Sequence, residues 1–223
     1  ITYDLFCHGR STCTFNEIGF EDFSNQINEL LQFLKIQKAI LVGFSLGGLI
    51  AAHYASTYTK KIEKLILFGT IYGRNDEEQT AAIKRYEDVS KNFFDIQSQL
   101  TRWFNQDYLE KNPKIAEMIS RILNANNHED FLKSYKLLSY FKDSMIALGE
   151  ISSPTLIITG ENEVGSTPKM SKDMGKVIKG SKVEIIKKGK HLCGIECAAD
   201  VNKVFEGFIN EWDQTISDVY QQW

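Results

Sequence analysis

Proline is scarce, three residues in 223, and the fifteen glycines are spread without a period. Collagen-like and low-complexity chains are thereby excluded. Cysteine is also sparse. Four in a chain of this length make no dense disulfide framework, so reduced thiols in a cytoplasmic protein are expected. Long apolar runs are missing: Ala39 to Val42 and Leu49 to Ala52 are far too short to cross a bilayer. No basic-then-apolar leader opens the chain, although a cleaved leader leaves no trace. Neither sign of charge dominates. Lys plus Arg is 26 and Asp plus Glu is 29, a net charge of -3, which offers no basic surface for nucleic acid. What is present is 43% hydrophobic and 25% charged, the balance of a soluble globular protein, at a length that suits one sizeable domain with an insertion.

Strand-like and helix-like patterns alternate along the chain. Ile1 to Phe6 reads as a short strand ending in a turn. Phe20, Phe23, Ile27, Leu30, Leu31 and Leu34 recur in steps of three and four, an amphipathic helix. Lys38 to Phe44, Ile62 to Phe68, Pro154 to Thr159 and Lys182 to Ile186 read as strands, the first three apolar enough to be buried on both faces. Helices are expected over 49–58, from Pro168 to about Ile178, and over 198–212. Between Arg74 and Leu148 no strand pattern occurs, and helices are expected near 75–90, 92–105, 113–125 and 128–141. The expectation is an α/β fold with a mostly parallel, helix-covered sheet, a core of residues 1–71 and 149–223, and a helical cap over 72–148.

The sharpest chemical signal is Gly43-Phe44-Ser45-Leu46-Gly47 between a buried strand and a helix. Its chance expectation in a chain of this composition is about 0.07 matches. A tight strand-to-helix turn of this kind calls for bare α-carbons at Gly43 and Gly47 and lifts the Ser45 hydroxyl above the sheet edge. It also aims the Leu46 backbone N–H, at a helix start, toward a reacting carbonyl. The bland alternative is a plain glycine turn.

A serine needs a general base, and the base an orienting acid. Of four histidines, His53 lies two turns down the same helix and points away from the hydroxyl, and His128 sits in the helical block beside two asparagines. His8 follows the first predicted strand. His191 occupies a loop after the last strand, where open α/β sheets build their sites, and is the best base. The acid should follow another strand. Glu163, three residues past Gly160, is preferred; Glu161 is the competitor, and Asp173 is too deep in the next helix. The order Ser45, Glu163, His191 suits a nucleophile elbow.

These residues resemble the α/β-hydrolase fold superfamily, in its lidded group of esterases, enol-lactonases and carbon–carbon bond hydrolases. Tyr3 to Ser11 resembles the turn after that family's fourth strand, with Cys7 where glycine is common. Gly43 to Gly48 resembles the elbow, Gly160 to Glu163 the acid loop, and Gly189-Lys190-His191 the base loop. The family usually has aspartate where Glu163 stands. It also carries about three strands and an oxyanion loop ahead of the Asp4 region. The resemblance therefore implies that Ile1 is not the biological start and that a second oxyanion donor comes from elsewhere.

Cys193 and Cys197 follow His191 closely, but without a second histidine or a C-x-x-C pair no metal is expected. Cys7 and Cys13 flank a turn and could pair under oxidising conditions. Of the cap aromatics Trp103, Phe104, Phe131, Tyr135, Tyr140 and Phe141, most should pack helices together and the rest line an apolar cleft; Phe44, Trp103 and Tyr135 are the expected substrate contacts. Arg74, Arg85, Arg102 and Arg121 are scattered through the cap. One could meet a substrate carboxylate, and solvated helix faces account for most of them. The expected function is hydrolysis of a small ester, lactone or activated acyl compound by Ser45, His191 and Glu163, without cofactor, membrane or nucleic-acid partner. The alternatives are carbon–carbon bond hydrolysis and a non-catalytic binding protein.

Overall fold

The computed structural model describes residues 1–92 and 95–220, with side chains as far as residue 211. Among these the sheet has four parallel strands in chain order: β1 (Ala39–Phe44), β2 (Ile62–Phe68), β3 (Thr155–Gly160) and β4 (Lys182–Ile186). Between β1 and β2, and again between β3 and β4, a helix returns the chain to the same end of the sheet. α1 (Phe20–Phe33) precedes β1, α2 (Leu46–Thr57) links β1 to β2, and five helices separate β2 from β3. They are α3 (Asp76–Lys91), α4 (Ile96–Trp103), α5 (Gln106–Lys111), α6 (Pro113–Asn124) and α7 (His128–Ser139). α8 (Pro168–Val177) joins β3 to β4, and α9 (Cys193–Glu196) and α10 (Ala198–Tyr220) close the chain.

The two-residue period of the strands sends side chains to two separate cores. Leu65, Leu67 and Ile157 pack with residues of α1, α2 and α8. Ile66, Phe68, Leu156 and Ile158 pack on the other face against Val201 and Phe208 of α10. Each such leucine or isoleucine, almost fully buried, contributes about 1.5–3 kcal/mol. That explains why β2 and β3 read as unbroken apolar runs: neither face meets water.

The helical block follows its sequence signals closely. Asn75 caps α3, accepting from the Glu78 N–H at 2.8 Å, while the Glu78 carboxylate accepts from the Asn75 N–H at 2.9 Å. Pro113 opens α6. α5 was not expected, because six residues are too few to show a helical period. One expected strand is absent: residues 1–5 join no ladder. β1 bonds to β2 alone, and its Ile40 and Val42 are 37% and 48% exposed. Among the described residues no strand runs between β1 and residues 1–6, and a side chain helps hold that segment. Gln26 accepts from the Phe6 N–H at 3.1 Å and donates to the Asp4 carbonyl at 3.1 Å.

The turn from β1 into α2 stands at the carboxyl end of the sheet. Ser45 adopts φ 55°, ψ −117°, a conformation that side-chain-bearing residues rarely hold. Neighbours over-determine it. Its N–H donates to the Phe68 carbonyl at 2.9 Å, and its carbonyl accepts from Gly48 N–H at 2.9 Å. A Cβ on Gly43 would lie 2.2 Å from the Gly47 carbonyl oxygen, and one on Gly48 2.6 Å from Thr70 Cβ. The expected need for a bare α-carbon at Gly47 does not hold, because a Cβ there meets nothing within 4 Å. The crowded partner is Gly48, one residue on. Gly43→Ala should therefore destabilise by about 3 kcal/mol, since backbone cannot move aside. Gly47→Ala should change stability by about 1 kcal/mol or less and in the stabilising sense, alanine being the better helix former. Urea unfolding of both variants checks this, and equal losses would refute the assignment of crowding to Gly43.

Candidate active site

A cleft of about 310 Å³ opens where the strands end, between the sheet and the helices that separate β2 from β3. Ser45, Leu46, Glu163 and His191 all line it, so the sheet brings together residues spaced over nearly 150 positions. Ser45 comes from the elbow, Glu163 from the loop after β3, and His191 from the loop after β4. Leu46 is the first residue of α2, so its amide has no acceptor within the helix.

Gly160 and Gly189 bring Glu163 to His191. A Cβ on Gly160 would stand 2.2 Å from the Gly189 carbonyl oxygen, and one on Gly189 would stand 2.6 Å from Cys193 Cβ. The crossing is then tied by hydrogen bonds from Glu161 N–H to the Ile186 carbonyl and from Asn162 N–H to the Gly189 carbonyl, each 2.8 Å. His191 Nδ1 consequently lies 2.9 Å from Glu163 Oε2. The other Glu163 oxygen accepts from the N–H groups of Gly165 and Ser166. Burial pushes the Glu163 carboxyl up, since its side chain is almost entirely covered. The hydrogen bond and charge of His191, with the two amides, outweigh that and hold it below the usual carboxylate range. Glu161 has another duty: exposed, it accepts from Lys188 N–H at 2.9 Å. Asp173 pairs with Lys169 and Lys176 on α8.

Because a carboxylate can only accept, the Nδ1 of His191 carries the proton, and Nε2 is left as the basic nitrogen. The ring is flanked by Phe44 at 4.9 Å and Trp103 at 6.1 Å between centroids. Among the described residues no hydrogen bond joins Ser45 Oγ to the ring; the two share the cleft wall, a separation that catalytic pairs often show before substrate arrives. The base loop is also fastened to the helical block. Leu192 N–H donates to the Trp103 carbonyl at 3.0 Å, and Glu196 accepts from Asn105 N–H at 3.0 Å.

The other histidines are elsewhere or in other roles. His53 is hydrogen-bonded to Ser24 at 2.7 Å and stacks on Phe20, away from the cleft. His128 opens α7. His8 does line the cleft, with Nδ1 3.0 Å from the Phe6 carbonyl. Phe44, Trp103 and Tyr135 line the cleft as expected, and Phe131 joins them; Phe104 and Phe141 are core residues. Arg74, Arg85 and Arg102 are a correction, because all three line the cleft rather than facing solvent, and only Arg121 is exposed. A signal for Arg85 was present: it lies three residues after Ala82 and four before Val89, the two buried positions of α3.

Cys7 and Cys13 form a disulfide with a Cα separation of 4.5 Å, so not all four cysteines are reduced as expected. Cys7 holds φ 64°, which accounts for glycine being common at that position in the resembled turn. Cys193 and Cys197 are free thiols, and burial pushes Cys193 up to about 12. Among the described residues no three His, Cys, Asp or Glu side chains cluster to hold a metal, and no helix is long and apolar enough to cross a membrane.

The alpha/beta hydrolase fold family matches residues 1–196 of the chain. The (E)-2-((N-methylformamido)methylene)succinate hydrolase of Acinetobacter baylyi is 25% identical over 211 residues, covering 94% of this chain and 79% of that protein. The 3-oxoadipate enol-lactonase 2 of the same organism is 24% identical over 214 residues, covering 96% and 79%. Among solved structures, the enol-lactonase from Burkholderia xenovorans LB400 superposes with a TM-score of 0.81 at 25% identity, over 94% of this chain and 80% of that one.

The depressed Glu163 carboxyl makes a stability prediction. Its folded pKa lies below the 4.5 of an ordinary glutamate, so its contribution is complete above pH 4.5 and lost as the pH falls through the folded value. Denaturant midpoints of the protein and of Glu163→Gln, followed from pH 7 to pH 3, should therefore converge on the acid side. A gap that stays constant or widens would contradict the depressed value.

Proposed function

The chain belongs to the α/β-hydrolase fold family, and on that footing we propose that it hydrolyses a small carboxylic ester, lactone or activated acyl compound through Ser45, His191 and Glu163. The observation that carries this reading is the 2.9 Å contact of His191 Nδ1 with Glu163 in the cleft that also holds the strained Ser45. In this mechanism Ser45 Oγ attacks the scissile carbonyl while His191 Nε2 takes its proton. Glu163 keeps the ring in that tautomer and offsets the imidazolium charge. The Leu46 N–H donates to the oxyanion at the head of α2. Collapse breaks the bond to the leaving oxygen, which receives the proton from His191. Water then attacks the acyl-enzyme with His191 as base, releasing the acid and restoring Ser45. No step calls for a cofactor. The helices over residues 72–148 act as the cap that covers the acyl group. Relatives named for enol-lactone and substituted-succinate hydrolysis support small acyl substrates over long acyl chains, as does a cleft of about 310 Å³.

Hydrolysis of a short p-nitrophenyl ester tests this. Ser45→Ala should lower kcat by about 10³-fold or more and Glu163→Gln by about 10²–10⁴-fold. Glu161→Gln, which keeps an acceptor for Lys188, should stay within about threefold. Equal rates for the protein and Ser45→Ala would leave a binding protein with a hydrolase fold.

The compartment we propose is the cytoplasm, since two of four cysteines are free and no disulfide framework exists. There the thiol pool of the cytoplasm would reduce the Cys7–Cys13 disulfide to two thiols. Alkylation in fresh lysate followed by mass measurement should count four thiols, whereas two would assign the protein to oxidising surroundings.

A further inference from the structure

Three of the cap arginines converge on one wall of the cleft. Arg74 precedes α3, Arg85 lies within it, and Arg102 lies on α4, yet all three line the space beside Ser45 together with Gln99 and Tyr135. They are close enough to act on each other. Burial and the like charge of Arg85 push both Arg74, to about 10, and Arg102 down. Tyr135 is their common neighbour: burial pushes its hydroxyl up, while Arg85, which is hydrogen-bonded to it, and the charges of Arg102 and Arg74 pull the other way.

Three half-buried like charges in one cleft are costly unless something negative joins them. Among the described residues no carboxylate stands in ion-pair contact with any of the three. Glu163, the carboxylate that lines the cleft, is already committed to His191, Gly165 and Ser166. Arg102 reaches its neighbourhood, with Nη2 3.0 Å from where a Gly165 Cβ would stand. Arg74 is braced from behind, its Nη1 donating to the Leu138 carbonyl at 3.0 Å and the Ser139 carbonyl at 3.4 Å. A braced guanidinium presents a fixed fork of donors, the geometry that suits a planar carboxylate.

We propose that Arg74, Arg85 and Arg102 form a carboxylate subsite, and that the acyl substrate bears a free carboxylate besides its scissile carbonyl, as in the half-ester or lactone of a small dicarboxylic acid. The subsite is a matter of binding alone; its use in turnover rests on the Ser45 reading above. Two anchors then orient the acyl group: the subsite holds one end, and Ser45 with the Leu46 amide meets the other. Uncharged esters lose the first anchor and should be poorer substrates.

The probe is glutarate, a dicarboxylate with no bond to hydrolyse, titrated calorimetrically into the protein, with uncharged glutaramide and inorganic phosphate beside it. Glutarate should bind, with Arg85→Gln and Arg102→Gln each weakening it by about 10-fold or more. Arg121→Gln, on the exposed face of α6, should not change its affinity. Arg85→Lys keeps the charge without the fork and should fall between the protein and Arg85→Gln, with thermal unfolding confirming that each variant is folded. Glutaramide or phosphate binding as tightly as glutarate overturns the subsite, as does indifference to Arg85→Gln. Kinetically, the mono-p-nitrophenyl ester of glutaric acid should exceed p-nitrophenyl pentanoate in kcat/KM by about 10-fold or more, the ratio collapsing in Arg85→Gln. Glutarate binding without hydrolysis of either ester removes the serine-hydrolase reading and keeps the subsite. Equal hydrolysis of both esters without glutarate binding does the reverse.

Discussion

Where the loops after β3 and β4 cross, Gly160 passes the Gly189 backbone at a distance that leaves no space for even one methyl group. The meeting of Glu163 with His191 depends on this contact. It sets the loop of Glu163 against the loop of His191, and the amide hydrogen bonds of Glu161 and Asn162 lock it. Glu163 then has a single orientation, one oxygen toward two amides and the other toward His191. Parallel strands make such a crossing possible, because they deliver successive loops to the same end of the sheet. The elbow at Ser45 uses the same device one strand pair away, with Gly43 against Gly47 and Gly48 against Thr70.

The electrostatics of the cleft divide along its wall. On the sheet side, a carboxylate is kept charged by amides and an imidazole despite its burial. On the side of the helical block, among the described residues, three guanidiniums stand without a carboxylate in ion-pair contact, with only the more distant charges of Glu78 and Asp143 favouring Arg74 and that of Glu163 favouring Arg102. A site meant only for an uncharged acyl chain has no use for buried arginines, whose desolvation costs stability. The helical block and the loop of His191 are also joined by hydrogen bonds, Leu192 to Trp103 and Asn105 to Glu196. Displacement of α4 would therefore be felt at His191 as well as at Arg102.

Much of this was legible residue by residue. The runs at 39–44, 62–68, 155–160 and 182–186 were visible as strands because covered or half-covered β structure selects β-branched and leucine side chains in short stretches. Pro168 marked the start of its helix to the residue. Glu163 was preferred to Glu161 for its distance past the strand end, and it is the one that meets His191. Besides the reduced state expected of all four cysteines, several expectations failed for reasons of context. Residues 1–6 have strand-like composition but no neighbouring strand to complete their hydrogen bonds. Gly47 belongs to the motif, yet the crowding falls on Gly48, because it is Thr70 that approaches. Solvated faces were expected for most of Arg74, Arg85, Arg102 and Arg121, with one free to meet a substrate carboxylate, yet three line the cleft, since composition gives no direction to a side chain.

The order of strands and helices and the glycine-flanked turn at Ser45 were determined by local chemistry, which acts over a few residues and leaves its mark in spacing. Which carboxylate reaches the imidazole, which aromatics face the cleft and where the guanidiniums converge were decided only by the folded chain. Those facts depend on the close passage of backbones far apart in sequence, and such distances are properties of the packed interior rather than of any segment.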